Sequence, residues 1–453
     1  MIRQMLLVGC VIFGTCWFSH AQSDPGAAPS ESVPEAALPY SEVLAPPMPV
    51  AGVRAPLTLG SEAPRSNFIR GSFGITAAYD DNMLSTTTHR VGDASYLFFP
   101  TLDFVQTRGR WLWDVNYSPG FTINQRVSER NQAAHDLHLL LGYRLSPHVT
   151  LQLHDSFSKS TSLFSDFSGM RPEPPGPQPG PNLSPVIPIT KRTGNTSGVD
   201  LTYQFGRDSM IGASGGYYFV DYGAVEATSG QTYRLIDTRS WNADTFYTHR
   251  FGGRHWLGVS YMMQRLMFDP GYPIEVQRAL GFYSVLLGSH ISFSLWAGPE
   301  RASSLVAGLQ PGLVGPTWHA PQWNGAGGVQ WNWQGQRTAF GIGYTRQTSD
   351  GGGLAQAVRM NLASAEVRRQ LTRRWDASLG AMYARNDALN PPAIQAMRGL
   401  SGTADLRWQM TEQVGLAVRY ARYRQEYTLR GVPADRNRAS VSISYSFSRP
   451  VGR

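Results

Sequence analysis

The stretch WLWDVNYSPGFTIN, residues 111–124, decides the fold. Trp111, Trp113, Val115, Tyr117, Phe121 and Ile123 fall on one parity, and Asp114, Asn116, Ser118, Thr122 and Asn124 on the other. Successive side chains of a strand point to opposite faces, so this segment is apolar and aromatic on one side and polar on the other. The same split recurs in FIRGSFGITAAY (68–79), in LSGTADLRWQM (400–410) and in SVSISYSFS (440–448). A soluble sandwich also alternates, so alternation alone leaves two architectures open.

The connections separate them. Tight turns are expected near Thr107 to Arg110, Leu145 to His148, Gly206 to Ser209, Gly252 to Arg254, Gly288 to His290, Gln334 to Arg337, Thr372 to Arg374 and Thr411 to Gln413. Longer loops fall between them, near 82–93, 125–131, 160–196, 222–236, 268–275, 299–321, 347–354, 387–398 and 426–437. Short turns at one rim and long loops at the other are the pattern of outer-membrane barrels. Aromatic residues on the apolar parity gather beside the short turns (Trp111, Tyr143, Phe205, Phe251, Trp333, Trp375, Trp408), and Tyr79, Phe121, Phe157, Tyr383 and Tyr420 match them toward the long loops. Rings with an apolar body and a polar tip settle at headgroup level.

The expected fold is therefore all-β, a transmembrane antiparallel up-and-down barrel of about 18 strands, with 16 the nearest alternative. Both ends of the wall would lie on the short-turn, periplasmic side. The run from Ala355 to Leu371 loses its phase near Glu366, which suggests a bulge, and Gly212 to Tyr222 is similarly ambiguous.

Composition agrees with a chain that hides little of its surface in water. Charged residues are 16% and aromatics 11%, against about a quarter charged in ordinary soluble domains. Residues 1–21 read as a signal peptide: Arg3, an apolar run from Met5 to Phe18, and the small-x-small Ser19-His20-Ala21. Leu7-Val8-Gly9-Cys10 has the form of a lipoprotein box but would leave too short an apolar region. Residues 22–66 read as a disordered Pro/Ala-rich periplasmic linker and 67–453 as the barrel. Cys10 and Cys16 both lie in the signal, so neither disulfides nor cysteine metal sites are expected. The net charge of +8 is almost all arginine, with lysine only at positions 159 and 191, scattered rather than clustered as nucleic-acid binding would require.

No nucleotide loop, zinc spacing or nucleophile elbow is present, so no catalytic residue, cofactor or metal is assigned. His135, His154 and Ser156 raise the thought of a triad, but nothing in the sequence makes them converge. Asp80, Asp81 and Asn82 read as turn initiators rather than calcium ligands, and Gly351 to Gly353 as a flexible turn in an outer loop. The functional candidates are the polar-parity residues Arg70, Asp114, Asn116, Asp136, His138, Arg144, Gln152, Asp200, Gln204, Asp244, Arg250, Asp405, Arg407 and Arg419, which would line a wet pore. Loop 160–196, proline-rich and carrying Phe164, Phe167, Arg171, Glu173, Lys191 and Arg192, is the candidate constriction, with an outward surface loop as the alternative.

AAYDDN (77–82), AHDLHLLLGYRLS (134–146), VTLQLHDSFS (149–158), WAGPE (296–300) and the closing alternation at 440–448 resemble the outer-membrane β-barrel porins associated with exopolysaccharide and capsule systems of Gram-negative bacteria. Phe447 is followed by SRPVGR, where such barrels normally end on the aromatic that the assembly machinery reads. The resemblance implies a non-enzymatic barrel in the outer membrane, passing small hydrophilic solutes or saccharides near polysaccharide export, or else anchoring exopolysaccharide through its outer loops. Expected partners are outer-membrane lipid, the barrel assembly machinery and a saccharide; nucleic acid is not expected.

Overall fold

The computed structural model describes residues 67–451, apart from 87–88, 129–130, 161–190, 224, 227–231, 234, 289, 308–315, 319–320, 390–395 and 428–433. The expected signal and linker lie outside the described residues, as do Phe164, Phe167, Arg171 and Glu173.

The strands, in chain order, begin with β1 (Phe68–Asp80), β2 (Asp93–Arg108), β3 (Trp111–Asn124), β4 (Gln132–Arg144), β5 (Val149–Ser160), β6 (Arg192–Phe205) and β7 (Ser209–Tyr222). A small hairpin of β8 (Val225–Glu226) and β9 (Thr232–Tyr233) precedes β10 (Asp237–Phe251), β11 (His255–Asp269), β12 (Ile274–Leu287) and β13 (Ile291–Ala307). After the short β14 (Pro316–Trp318) come β15 (Gln322–Gln334), β16 (Thr338–Asp350), β17 (Ala357–Gln370), β18 (Trp375–Ala388), β19 (Ala396–Gln409), β20 (Val414–Tyr427) and β21 (Ala434–Pro450). Leaving out β8, β9 and β14, eighteen antiparallel strands follow one another round the wall, and β1 pairs with β21 to close it. All eight expected tight turns lie at one rim, together with both ends of the wall.

Closure leaves no sheet edge, so backbone donors and acceptors are met within the wall. The seam is fastened at both rims. Near the termini, Val451 N donates to the Asn67 carbonyl at 2.8 Å. At the far rim the Arg436 guanidinium bonds the Asp80 carboxylate, and Asp81 accepts from the Asn437 backbone at 2.7 Å. Asn82 Nδ2 donates to the Asp435 carbonyl at 2.8 Å. The expected turn-initiating role of this run is met as well, since Asp80 Oδ1 accepts from Asn82 N at 3.0 Å.

Exposed apolar side chains identify the outer face: Phe73, Ile75 and Tyr79 on β1, Trp111, Tyr117 and Phe121 on β3, Leu379 and Tyr383 on β18. At the short-turn rim Trp375 and Trp408 stack with centroids 5.5 Å apart, and Trp111 meets Tyr143 at 4.3 Å. This outward belt, bounded by aromatic residues, suits hydrocarbon. Polar groups on this face are partnered within the wall. On the outer parity of β5 and β6, Asp155 accepts from Asn195 Nδ2 at 3.1 Å and from the Ser197 hydroxyl.

Three expectations need correction. β17 pairs without interruption with β16 and β18, so there is no bulge near Glu366. β13 runs to Ala307, which places WAGPE inside a strand rather than in the loop expected from residue 299. β16 likewise runs to Asp350, well into the loop expected at 347–354.

Candidate functional site: the lumen and its inward hairpin

Every polar-parity candidate sits on the inner side of its strand, opposite the exposed apolar residues of the same strand. Their partners differ round the wall. His138 Nε2 lies 3.2 Å from Asp136 Oδ1, and His154 Nδ1 lies 3.1 Å from Asp200 Oδ2. Asp244 accepts from the Ser214 hydroxyl one strand away. Asp103, Asp114, Asp136, Asp200 and Asp244 outnumber the inward Arg144, Arg192 and Arg250 over β2 to β10, which leaves this arc acidic. Facing them across the barrel, β17 to β20 carry Arg368, Arg407 and Arg419 together with Glu366, Asp376 and Asp405, so the opposite arc is balanced. Arg419 bonds Asp405, which also accepts from Ser378 at 3.4 Å. Arg70 and Arg144 lie at the short-turn rim, where Arg250 pairs with Asp208 at 2.9 Å.

His135 and His154 do not converge. His135 faces outward, with its Nδ1 2.9 Å from the Tyr117 hydroxyl, whereas His154 faces the lumen beside Asp200. Among the described residues no group of three or more His, Cys, Asp or Glu could hold a metal ion.

Large inward aromatics lie against the wall rather than across the lumen. The Phe99 ring covers Gly74 on the neighbouring strand, and Trp296 covers Gly328 in the same way, so that a Cβ at either glycine would strike the ring at 2.3 or 2.4 Å. Glycine there leaves room for the ring to lie flat.

The lumen is narrowed by a feature that the sequence does not announce. β15 and β16 stop pairing at Gly327↔Arg346, although both strands continue toward the long-loop rim. β16 and β17 stay paired to Asp350↔Ala357, so their joined end leaves the wall and folds inward. Both parities of this tip become buried: Thr348, Ser349, Asp350 and Val358 are all at most 7% exposed.

Three sets of contacts hold the hairpin. First, Glu300 of β13 accepts from Thr348 N at 3.1 Å and from its hydroxyl, and pairs with Arg278 of β12 at 2.6 Å. Arg278 also reaches the Thr348 carbonyl at 3.3 Å. Second, the Tyr218 hydroxyl donates to Asp350 Oδ2 at 3.1 Å, and Ile236 N donates to the Gly353 carbonyl at 2.9 Å. Third, an apolar core forms beneath it from Tyr218, Val220, Leu266, Phe268, Ile274, Val276, Ala302 and Ala357. Each such large side chain contributes about 1.5–3 kcal/mol on burial.

The tip is Gly351-Gly352-Gly353. Gly352 and Gly353 have φ of +62° and +83°, the left-handed region that side chains disfavour, and the Tyr222 ring stands 3.0 Å from where a Gly353 Cβ would be. The expectation of a flexible outer turn is therefore corrected: the run is a turn, but one buried in the barrel mouth. Of the expected constriction residues, Lys191 is exposed and Arg192 opens β6 on the inner parity, opposite Tyr222. The fixed narrowing among the described residues comes from β16 and β17, and sequence reasoning missed Arg278, Glu300, Tyr218 and Asp350 as its supports.

No family model matches the chain, and no curated protein matches it. Among solved structures it is similar to Pseudomonas aeruginosa OccK3 (OpdO), at 14% identity and TM-score 0.42, covering 84% of this chain and 96% of that one. It is similar to P. aeruginosa OccK2 (OpdF) in complex with glucuronate, at 11% and 0.43, covering 84% and 100%. Acinetobacter baumannii OccAB2 gives 12% and 0.43, covering 84% and 98%. At these scores the likeness carries no conclusion about solute or mechanism.

Proposed function

We propose that the chain is a porin-like channel of the outer membrane of a Gram-negative bacterium, reached after signal-directed export, that passes small hydrophilic solutes. The observation that carries this reading is a closed eighteen-stranded wall with apolar residues outside and carboxylates, guanidinium groups, amides and hydroxyls inside. A wall of that size is wide enough for an aqueous passage. The acidic arc over β2 to β10, facing a balanced arc, favours cations and neutral polar solutes over anions. That saccharides are among the solutes, and that the channel serves exopolysaccharide export, rests on the sequence resemblance. The test is conductance of the refolded chain in planar bilayers. Discrete steps with cation preference are expected, and an ion-tight folded barrel would overturn the proposal.

One observation favours a second reading, a non-conducting anchor that binds exopolysaccharide through its outer loops. The β16–β17 hairpin reaches across the mouth from β16 to β7, six strands away. Absence of conductance together with glycan binding that is lost on trimming the long loops would favour the anchor.

A further inference from the structure

Above the outward tyrosines of β16, β18 and β20, the outer face of the wall turns from apolar to strongly basic. Tyr344, Tyr383 and Tyr420 are exposed on this face, and two residues further toward the long-loop rim stand Arg346, Arg385 and Arg422, also exposed. Cross-strand pairing joins the first two with a third. Arg346 is opposite Asn361, Asn361 is opposite Arg385, and Arg385 is opposite Arg398. Arg424 on β20 follows Arg422 along the same parity. Five guanidinium groups therefore look outward from neighbouring strands, with Arg424 and Arg422 two and four residues nearer the short-turn rim than Glu426, the cross-strand partner of Arg398.

Nearby carboxylates offset only part of this charge. Asp387 accepts from Arg385 Nε at 3.0 Å, Glu426 is the cross-strand partner of Arg398, and Asp435 lies 3.8 Å from Arg422. Like charges placed directly opposite one another in a sheet destabilise it, and Arg385 and Arg398 are such a pair. An anion between them relieves that repulsion beyond what Asp387 and Glu426 supply. Guanidinium forks match phosphate oxygens two at a time, and the tyrosines beneath fix the height at the boundary between hydrocarbon and headgroups. Tyr344 and Tyr420 already direct their hydroxyls to polar neighbours there, Asn361 at 3.0 Å and Asn437 at 2.8 Å.

We propose that the outward arginines of β16 and β18 to β20 form a binding surface for the phosphates of a phosphorylated glycolipid in the leaflet that meets the long-loop rim. The proposal rests on the membrane-barrel reading and adds the lipid class. The wall takes bilayer lipid along its whole circumference, and this sector selects the anionic headgroup.

The test uses the full chain refolded in phosphatidylcholine vesicles containing bisphosphorylated lipid A, the same lipid dephosphorylated, or neither. The readout is the temperature at which heat-modifiable gel migration is lost. Bisphosphorylated lipid should raise that midpoint by several degrees over both other vesicles, and Arg385→Gln with Arg398→Gln should abolish most of the rise. A second variant, Arg422→Gln with Arg424→Gln, should reduce it as well, which keeps the test decisive if the first refolds poorly. Inorganic phosphate added to neutral vesicles should leave the midpoint in place. An equal rise with dephosphorylated lipid, an undiminished rise in both variants, or an equal effect of inorganic phosphate would overturn the proposal. Failure of the wild-type chain to fold in neutral vesicles would instead strike the barrel reading.

Discussion

The phenol of Tyr218, on β7, donates to the carboxylate of Asp350, on β16, at 3.1 Å, although the two strands stand six places apart round the wall. Only a strand tip that has left the sheet can make that bond. It ties the hairpin to a distant part of the barrel and makes the narrowing part of the folded core. Tyr218→Phe removes the donor from a buried carboxylate, a change that costs about 1–3 kcal/mol. A looser hairpin and larger conductance steps in planar bilayers are the expected result; steps of wild-type size would show that the hairpin is held without this bond.

The Arg278–Glu300 pair, with side chains 4% and 1% exposed, is the second clamp. Removing one partner strands a buried charge, so Arg278→Ala or Glu300→Ala should destabilise the barrel by about 3–5 kcal/mol. Replacing both by apolar residues, Arg278→Met with Glu300→Leu, should cost much less. Urea unfolding in detergent, followed by tryptophan fluorescence, gives the comparison. A double variant that loses as much as the two single variants summed would mean that the pair is not coupled.

Gly353→Val forces a β-branched residue to φ near +83° and against the Tyr222 ring, whereas Gly325 has nothing within 4 Å of its would-be Cβ. Strain at such a backbone position is worth about 1–3 kcal/mol. Gly353→Val should lower the midpoint of heat-modifiable migration by several degrees, and Gly325→Ala should leave it near wild type. Matching midpoints for the two variants would argue against a fixed tip.

Asp136, Asp200 and Asp244 line the acidic arc. Changing all three to Asn should shift the reversal potential in a salt gradient toward anions. The wild-type preference should weaken as ionic strength rises, because screening shortens the reach of exposed charges. A reversal potential that ignores the triple substitution would place the selective groups elsewhere.

The strand pattern was legible in the sequence because one face of nearly every strand meets an apolar medium and the other does not. The two segments that resisted that reading, 212–222 and 355–371, are informative. Tyr218 and Val220 on β7, and Val358 and Met360 on β17, point inward yet are apolar, because they pack in the cores around the folded-in hairpin. Their alternation is blurred by a second buried environment, not by a bulge. The hairpin itself was illegible for a related reason. Thr348, Ser349 and Asp350 are polar on both parities, as a solvent loop would be, and only contacts with β7, β12 and β13 distinguish a buried polar tip from a wet one. Asp155 hides similarly, since an outward carboxylate is tolerated through Asn195 and Ser197 on the next strand.

The fastening of Asn67 to Val451 at one rim and of Asp80 to Arg436 at the other gives the polypeptide the logic of a ring cut once. Bridging the old ends with a few residues and opening new ones within the Gly252–Arg254 turn would reorder the gene while leaving every strand with its present neighbours. Such a permuted chain should refold to the same cylinder, with its starting point moved nearly halfway round the circumference.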